Sequence, residues 1–170
     1  MKSKKNLVLI GMMSSGKSTI GELLAKKLNF KFFDIDKIIE NETKMKITEI
    51  FKIKGENFFR NLEEKITLKS LNSTNSVISL GGGGFINEKI RKEVLKNNFS
   101  FWLNCDTQTL LNRIKKNKKR PIAFNLSDNE LTELITKRTK IYSKAQFKIN
   151  CHKLKKTEIV KKILKIYGHN

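Results

Sequence analysis

The run Leu7-Val8-Leu9-Ile10, followed at once by Gly11-Met12-Met13-Ser14-Ser15-Gly16-Lys17-Ser18, commits this chain to a strand, a tight loop and a helix in succession. G-x-x-x-x-G-K-S is the pattern of a phosphate-binding P-loop, and it stands here in the context that gives the pattern its meaning. Gly11 and Gly16 let the backbone turn sharply, so that successive N–H groups converge on a phosphate. The helix that follows adds its positive N-terminal end. Lys17 can reach the β- and γ-phosphate oxygens and the Ser18 hydroxyl can ligate Mg²⁺. Gly11, Ser14, Ser15, Gly16, Lys17, Ser18 and Thr19 are therefore the candidate ATP-binding stretch, with Mg²⁺ as the expected cofactor.

Short apolar segments alternate with helical patterns along the rest of the chain. Strands are expected at Leu7–Ile10, Lys31–Asp34, Val77–Leu80, Phe99–Leu103 and Phe147–Asn150. Helices are expected at Lys17–Leu28, Ile35–Asn41, Ile47–Lys54, Asn57–Leu71, Glu88–Asn97, Thr107–Lys116, Asn129–Lys144 and Thr157–Ile166. Asp106/Thr107, Ser127 with Glu130, and Thr157 offer helix caps. Such alternation gives an α/β fold, a five-stranded parallel sheet covered by helices on both faces. A length of 170 residues with no visible linker or repeat reads as one domain, 1–170.

The formal net charge is +20, from 36 Lys+Arg against 16 Asp+Glu. The charge is spread over the chain rather than gathered on a face. Its one dense cluster, Lys115-Lys116-Asn117-Lys118-Lys119-Arg120, has no aromatic residues interleaved for base stacking, which argues against a nucleic-acid partner. Only five of the basic residues are arginine: Arg60, Arg91, Arg113, Arg120 and Arg138. In a lysine-rich chain an arginine hints that a planar fork is needed for a carboxylate or phosphate. Arg91, in a charged helical stretch, reads instead as an ordinary surface residue. The single proline, Pro121, sits beside Arg120 in an aperiodic stretch, and the region of about 115–127 reads as a mobile lid bearing basic side chains.

Ligands of open parallel sheets sit at the carboxyl ends of the strands. The second strand ends Phe33-Asp34-Ile35-Asp36, which offers one carboxylate to a metal and one to an acceptor hydroxyl. Asp34 could equally cap the next helix. The third strand ends Gly81-Gly82-Gly83-Gly84, a run whose entropic cost suits close backbone approach to a ligand. No acid stands at that strand's end, so Asp34 is the candidate metal partner beside Ser18. Arg60 has Glu63 one helical turn on, placed to orient it.

Gly11–Ser18, Asp34 with Asp36, Phe59-Arg60 with Glu63, Gly81-Gly82-Gly83, Arg120-Pro121 and Lys137-Arg138 with Tyr142 follow one another in the order and spacing of shikimate kinases, which the chain resembles from about residue 5 to 165. The resemblance implies the nucleoside-monophosphate-kinase type of fold. It also implies transfer of the ATP γ-phosphate to the 3-hydroxyl of shikimate, in aromatic amino-acid biosynthesis. Carried over by position, Lys17, Asp36 and Arg120 are catalytic. Asp36, Arg60, Gly82, Gly83 and Arg138 bind shikimate, the two arginines at its carboxylate. Arg113 and Arg120 join the ATP site, and Ser18 and Asp34 the metal. The family commonly has a glycine where the P-loop here has Met12, Met13 and Ser14.

The alternatives are a gluconate kinase, a nucleoside-monophosphate kinase, or a basic P-loop protein that binds nucleic acid. The spacing of Asp36, Arg60, Gly82 and Arg138 argues against the first; a nucleotide acceptor would call for aromatic stacking and more phosphate-binding arginines than the chain can spare; and the third leaves Asp36, Arg60 and the four glycines unexplained. Two cysteines with no zinc or disulfide pattern fit a reducing, cytoplasmic compartment. The chain has no run of apolar residues long enough to span a membrane, so no membrane partner is expected, and with no apolar surface stripe a monomer is expected.

Overall fold

A computed structural model describes residues 5–116 and 126–168. Five strands, β1 (Leu7–Ile10), β2 (Lys31–Asp34), β3 (Ser76–Ser79), β4 (Phe99–Asn104) and β5 (Phe147–Asn150), form one sheet in the order β2-β3-β1-β4-β5. Every pairing is parallel, with Leu7 opposite Val77 on one side and Phe99 on the other. A parallel pair cannot be closed by a hairpin, so each connection crosses over through helix. Among the described residues these are α1 (Lys17–Leu28), α2 (Ile35–Thr43), α3 (Ile47–Ile53), α4 (Gly55–Leu71), α5 (Glu88–Asn97), α6 (Thr107–Lys116), α7 (Asp128–Tyr142) and α8 (Lys156–Gly168). None is long and apolar enough to cross a membrane.

The two-residue period of a strand divides the core into two layers. Val8, Ile10 and Trp102 point to one face and pack with Ile35, Ile39, Phe59, Phe85, Leu131 and Tyr142. Leu7, Leu9, Phe101 and Leu103 point to the other and pack with Ile20, Leu24, Val160 and Ile163. Helices α1 and α8 thus cover one face and α2 to α7 the other. β1 is buried along its whole length, as a central strand covered on both sides must be. Asn6, just before it, is also buried; its amide donates to the carbonyls of Leu71 and Ser73 and to Asn98 Oδ1, while its Oδ1 accepts from the Ser76 N–H. One side chain thereby ties together the entrances of β1, β3 and β4.

The element boundaries depart from sequence expectation at a few points. β3 runs Ser76–Ser79, one residue earlier than expected, and α4 begins at Gly55, whose φ of +83° takes the chain sharply out of α3. Ser127 and Glu130 form the expected capping box at α7, and Asp106 accepts from the Thr109 N–H at α6. Thr157 does not cap α8, which starts one residue earlier; Glu158 reaches back to the Lys155 N–H instead. Gly84 opens a 3-10 turn, Gly84–Ile86, that the glycine run had concealed. Arg91 corrects its reading as a surface residue: its guanidinium donates to the carbonyls of Phe85 and Ile86 and pins that turn to α5. Of the expected lid, Lys115 and Lys116 end α6 and Ser127 precedes α7. Residues 117–125, which include Arg120 and Pro121, lie outside the described residues.

Candidate active site

The first turn of α1 has no side-chain cap: its N-cap is Gly16, at φ +96°. The leading N–H groups of the helix are therefore left for a ligand, which a P-loop requires. Gly11 sits at φ +147°, and a Cβ there would lie 2.9 Å from the Leu103 carbonyl oxygen. Met12 and Met13 fold inward and are buried. Ser14 takes the left-handed conformation, φ +62°, in which a glycine would be unstrained. Lys17 is buried, and its Nζ donates to the carbonyls of Gly11 and Met12 at 2.9 Å each, so the lysine braces the loop that it serves.

A cleft of about 380 Å³ opens over this loop. Ser14, Gly16, Lys17, Ser18 and Thr19 line it from the P-loop side, Asp34 from the end of β2, Asp36 from the first turn of α2, and Arg113 and Lys116 from α6. Arg113 donates to the Ser14 carbonyl at 3.4 Å. Asp34 caps α2 by accepting from the Lys37 N–H at 3.3 Å, and it also lines the cleft with Ser18. Hydroxyl and carboxylate oxygens are the donors that a Mg²⁺ ion prefers. Among the described residues no group of three acidic, His or Cys side chains is placed to hold a metal ion by itself. Ser18 and Asp34 would thus hold the ion with phosphate and water oxygens completing its shell, which is the usual arrangement for this metal.

A second, narrower pocket adjoins the first. Arg60, Glu63, Gly82, Gly83 and Arg138 line it, with Met13, Ile47, Phe51 and Phe59 as apolar walls. Phe51 and Phe59 flank Arg60, whose guanidinium carbon lies 6.0 Å and 5.2 Å from the respective ring centroids. Arg60 donates from Nη1 to Glu63 Oε2 at 2.7 Å, and from Nε and Nη2 to Glu56 at 3.2 and 3.1 Å. Burial alone would lower its pKa, but Glu63 and then Glu56 reverse the sign and raise it. Glu63 is only 2% exposed. Burial pushes its carboxyl above the ordinary range, against the pull of Arg60, and the neighbouring Asp36 adds to the rise.

The glycines belong to this packing. A Cβ on Gly81 would stand 2.4 Å from Glu63 Oε1 and 2.8 Å from Asp36 Oδ1, and one on Gly83 would stand 2.4 Å from Arg60 Nη1. The Gly82 carbonyl accepts from Tyr142 Oη and, at 3.4 Å, from Arg138 Nη1. Burial raises the Tyr142 pKa to about 12, so the phenol keeps its proton and donates. α7 thus delivers Arg138 and Tyr142 to the glycine turn from one helical face, four residues apart.

Asp36, half-buried, is the one described side chain that lines both pockets. The structure brings together Asp36, Arg60, Gly82, Gly83 and Arg138 in one place and the P-loop, Arg113 and Asp34 in the other. Sequence reasoning gave no place to Ile47 or Phe51, read Met13 only as a departure within the P-loop, and read Lys116 only as part of the basic lid. Met13, Ile47 and Phe51 are apolar and carry no chemical signature.

A family model described as shikimate kinase matches residues 13–167. A shikimate kinase of Persephonella marina is 42% identical over 161 residues, covering 94% of this chain and 97% of that one. One from Bartonella henselae is 40% identical over 164 residues, covering 96% of this chain and 78% of the other. Among solved structures, shikimate kinase from Acinetobacter baumannii in complex with shikimate superposes with a TM-score of 0.92 at 27% identity, covering 98% of this chain and 94% of that one. The Aquifex aeolicus enzyme gives 0.85 at 35% identity and 96% coverage of each chain. A Sinorhizobium meliloti gluconokinase, at 0.61 and 14% identity, shares the fold alone. The chain belongs to the shikimate kinase family, ATP-dependent kinases that phosphorylate a hydroxyl of shikimate.

Proposed function

We propose that the narrower pocket takes shikimate, that the P-loop cleft takes Mg-ATP, and that the phosphoryl group crosses at Asp36. The observation that carries this reading is the position of Asp36, on the wall shared by an anion-binding cleft and a pocket with two arginines. Arg60 and Arg138 clamp the acceptor carboxylate; Glu63 and Glu56 hold the Arg60 fork in place before any ligand arrives. The amides of Gly82 and Gly83 meet the acceptor hydroxyls. Asp36 accepts a hydrogen bond from the attacking hydroxyl and holds its proton as the oxygen approaches phosphorus. Lys17 leaves the Gly11 and Met12 carbonyls for the phosphates, where the loop N–H groups and the α1 N-terminus join it. Arg113 lies on the same cleft for the nucleotide. Arg120, outside the described residues, is assigned to the phosphates by its place in the family pattern. Mg²⁺, bound with ATP at Ser18 and Asp34, supplies neutralisation of phosphate charge.

Most of the work in such a transfer is positioning and electrostatic stabilisation rather than covalent chemistry. The reading is tested by ADP release from Mg-ATP with shikimate, gluconate and a panel of nucleoside monophosphates. Turnover with shikimate alone is the expected result. Turnover with gluconate instead would reassign the narrower pocket while leaving the P-loop intact.

A further inference from the structure

At the carboxyl ends of β4 and β5 two short loops run side by side, and each begins with a cysteine. The last register pair of these strands is Asn104 with Asn150, and the Cys151 N–H donates to the Asn104 carbonyl at 2.9 Å. Cys105 and Cys151 are therefore the next neighbours across the ladder. Adjacent strands lie about 4.7–4.9 Å apart, inside the roughly 4.4–6.8 Å between Cα atoms that a disulfide spans. One residue further on, His152 Nδ1 and Asp106 Oδ2 meet at 3.1 Å and tie the loops again. Both cysteines are free and partly exposed. The Cys105 thiol also lies 3.6 Å from the Ser15 carbonyl, within the P-loop.

We propose that Cys105 and Cys151 are a modification site, a dithiol that hydrogen peroxide converts reversibly into a disulfide whose formation weakens ATP binding at the adjoining P-loop. The Cys105 thiolate attacks one peroxide oxygen; the O–O bond breaks, the second oxygen leaves and takes up a proton as water, and Cys105 becomes a sulfenic acid. The Cys151 sulfur then attacks that sulfur. The S–S bond forms, the S–O bond breaks, and the departing hydroxide leaves as water with the Cys151 proton. In sum, two thiols and one peroxide give one disulfide and two waters, with two electrons passing from sulfur to oxygen. A dithiol reductant reverses it by exchange.

The surroundings assign the two roles. The neighbouring Cys151 thiol, then the cations of Arg113 and Lys17, bring the Cys105 thiol down to about 7 against burial and Asp106. Cys151 is pushed up by Cys105 first and by burial second, so it stays protonated until it resolves the sulfenic acid. The coupling to the nucleotide is steric and electrostatic. Cross-linking draws Cys105 away from the Ser15 carbonyl, and the cations that favour its thiolate, Lys17 and Arg113, are those that line the P-loop cleft. Bound Mg-ATP competes for those cations and slows the oxidation. This last part rests on the P-loop cleft as the ATP site; the disulfide itself does not.

The test treats the whole reduced protein with hydrogen peroxide, with and without Mg-ATP. It reads the non-reduced intact mass, the peptide linking Cys105 to Cys151, and the KM for ATP and for shikimate before and after dithiothreitol. The expected result is the loss of two hydrogen masses, the linked peptide, and slower linking in Mg-ATP. The ATP KM rises about tenfold, equivalent to about 1.4 kcal/mol, with the shikimate KM little changed and both restored by dithiothreitol. Cys151→Ser, which keeps Cys105, forms no link and shows no dithiothreitol-reversible rise. Unreacted thiols, oxidation of Cys105 to a sulfinic acid without a link, or a link that leaves the ATP KM unchanged would each overturn the proposal. A wrong assignment of the ATP site shows separately, as absent ATP binding by the reduced protein before oxidant is added.

Discussion

Glu63 illustrates how the acceptor pocket is held ready. One carboxylate oxygen is committed to Arg60 at 2.7 Å; the other, buried, has no hydrogen-bond partner among the described residues and faces the glycine turn. Burying a charge half-satisfied is costly in a protein that only has to fold, but it fixes the guanidinium to which the proposed reading brings the acceptor carboxylate. The cost has a pH signature. Burial raises the Glu63 pKa above the ordinary 4.5, so the folded state holds its proton more tightly than the unfolded chain. That contribution to stability is complete below the unfolded value and is lost as pH rises through the folded one. Glu63→Gln is expected to flatten this limb of the stability curve in urea melts at a series of pH values, and to raise the KM for shikimate while leaving that for ATP in place. A variant with the wild-type pH slope and wild-type shikimate KM would show that Glu63 neither titrates in the folded state nor aims Arg60. The sequence made the Arg60–Glu63 spacing plain. It could not show that Gly81 has to lack a side chain because Glu63 and Asp36 occupy the space a Cβ would need.

At the scale of elements, most of the order was legible because periodicity and caps agreed: an apolar run into a P-loop, a capping box at Ser127, a carboxylate at the end of β2. The misses have physical causes. A run of four glycines carries no side-chain period, so the 3-10 turn at its end left no trace, and with it went the reason for Arg91. Asn6 was equally silent, since a lone polar residue before a strand reads as solvated. In the fold it is 4% exposed and holds four hydrogen bonds to the segments that lead into the sheet. Asn6→Ala leaves those buried partners unmatched, and the expected loss is about 1–3 kcal/mol. Urea unfolding measures it directly; a midpoint equal to that of the parent would mean that water replaces the lost amide. KM values for both substrates are expected to stay unchanged, because the residue lies at the amino ends of the strands, opposite the site.

For the molecule as a whole, topology does the positioning. β1 sits at the centre of the sheet with β3 on one side and β4 on the other, so the loop after β1, the turn after β3 and the helix after β2 meet at one edge. Short segments scattered between residues 11 and 142 are thereby gathered, although most of them lie far apart in sequence. A net charge of +20 has no such focus: among the described basic side chains Lys17, Arg113 and Lys116 line the P-loop cleft, Arg60 and Arg138 line the narrower pocket and Arg91 pins the 3-10 turn, while several lysines pair with nearby acids at the surface. What the sequence could not give was the contact between two separate pockets at a single carboxylate, since that is a property of how the sheet edge closes. The measurement that tests it most directly is the turnover of Asp36→Asn with saturating Mg-ATP and shikimate, read beside its ATP affinity. Retained ATP binding with turnover lowered by at least about a hundredfold, the scale of a lost acid–base partner, is the predicted result. Turnover near that of the parent would contradict the account, because the group on the shared wall would then have no part in the transfer.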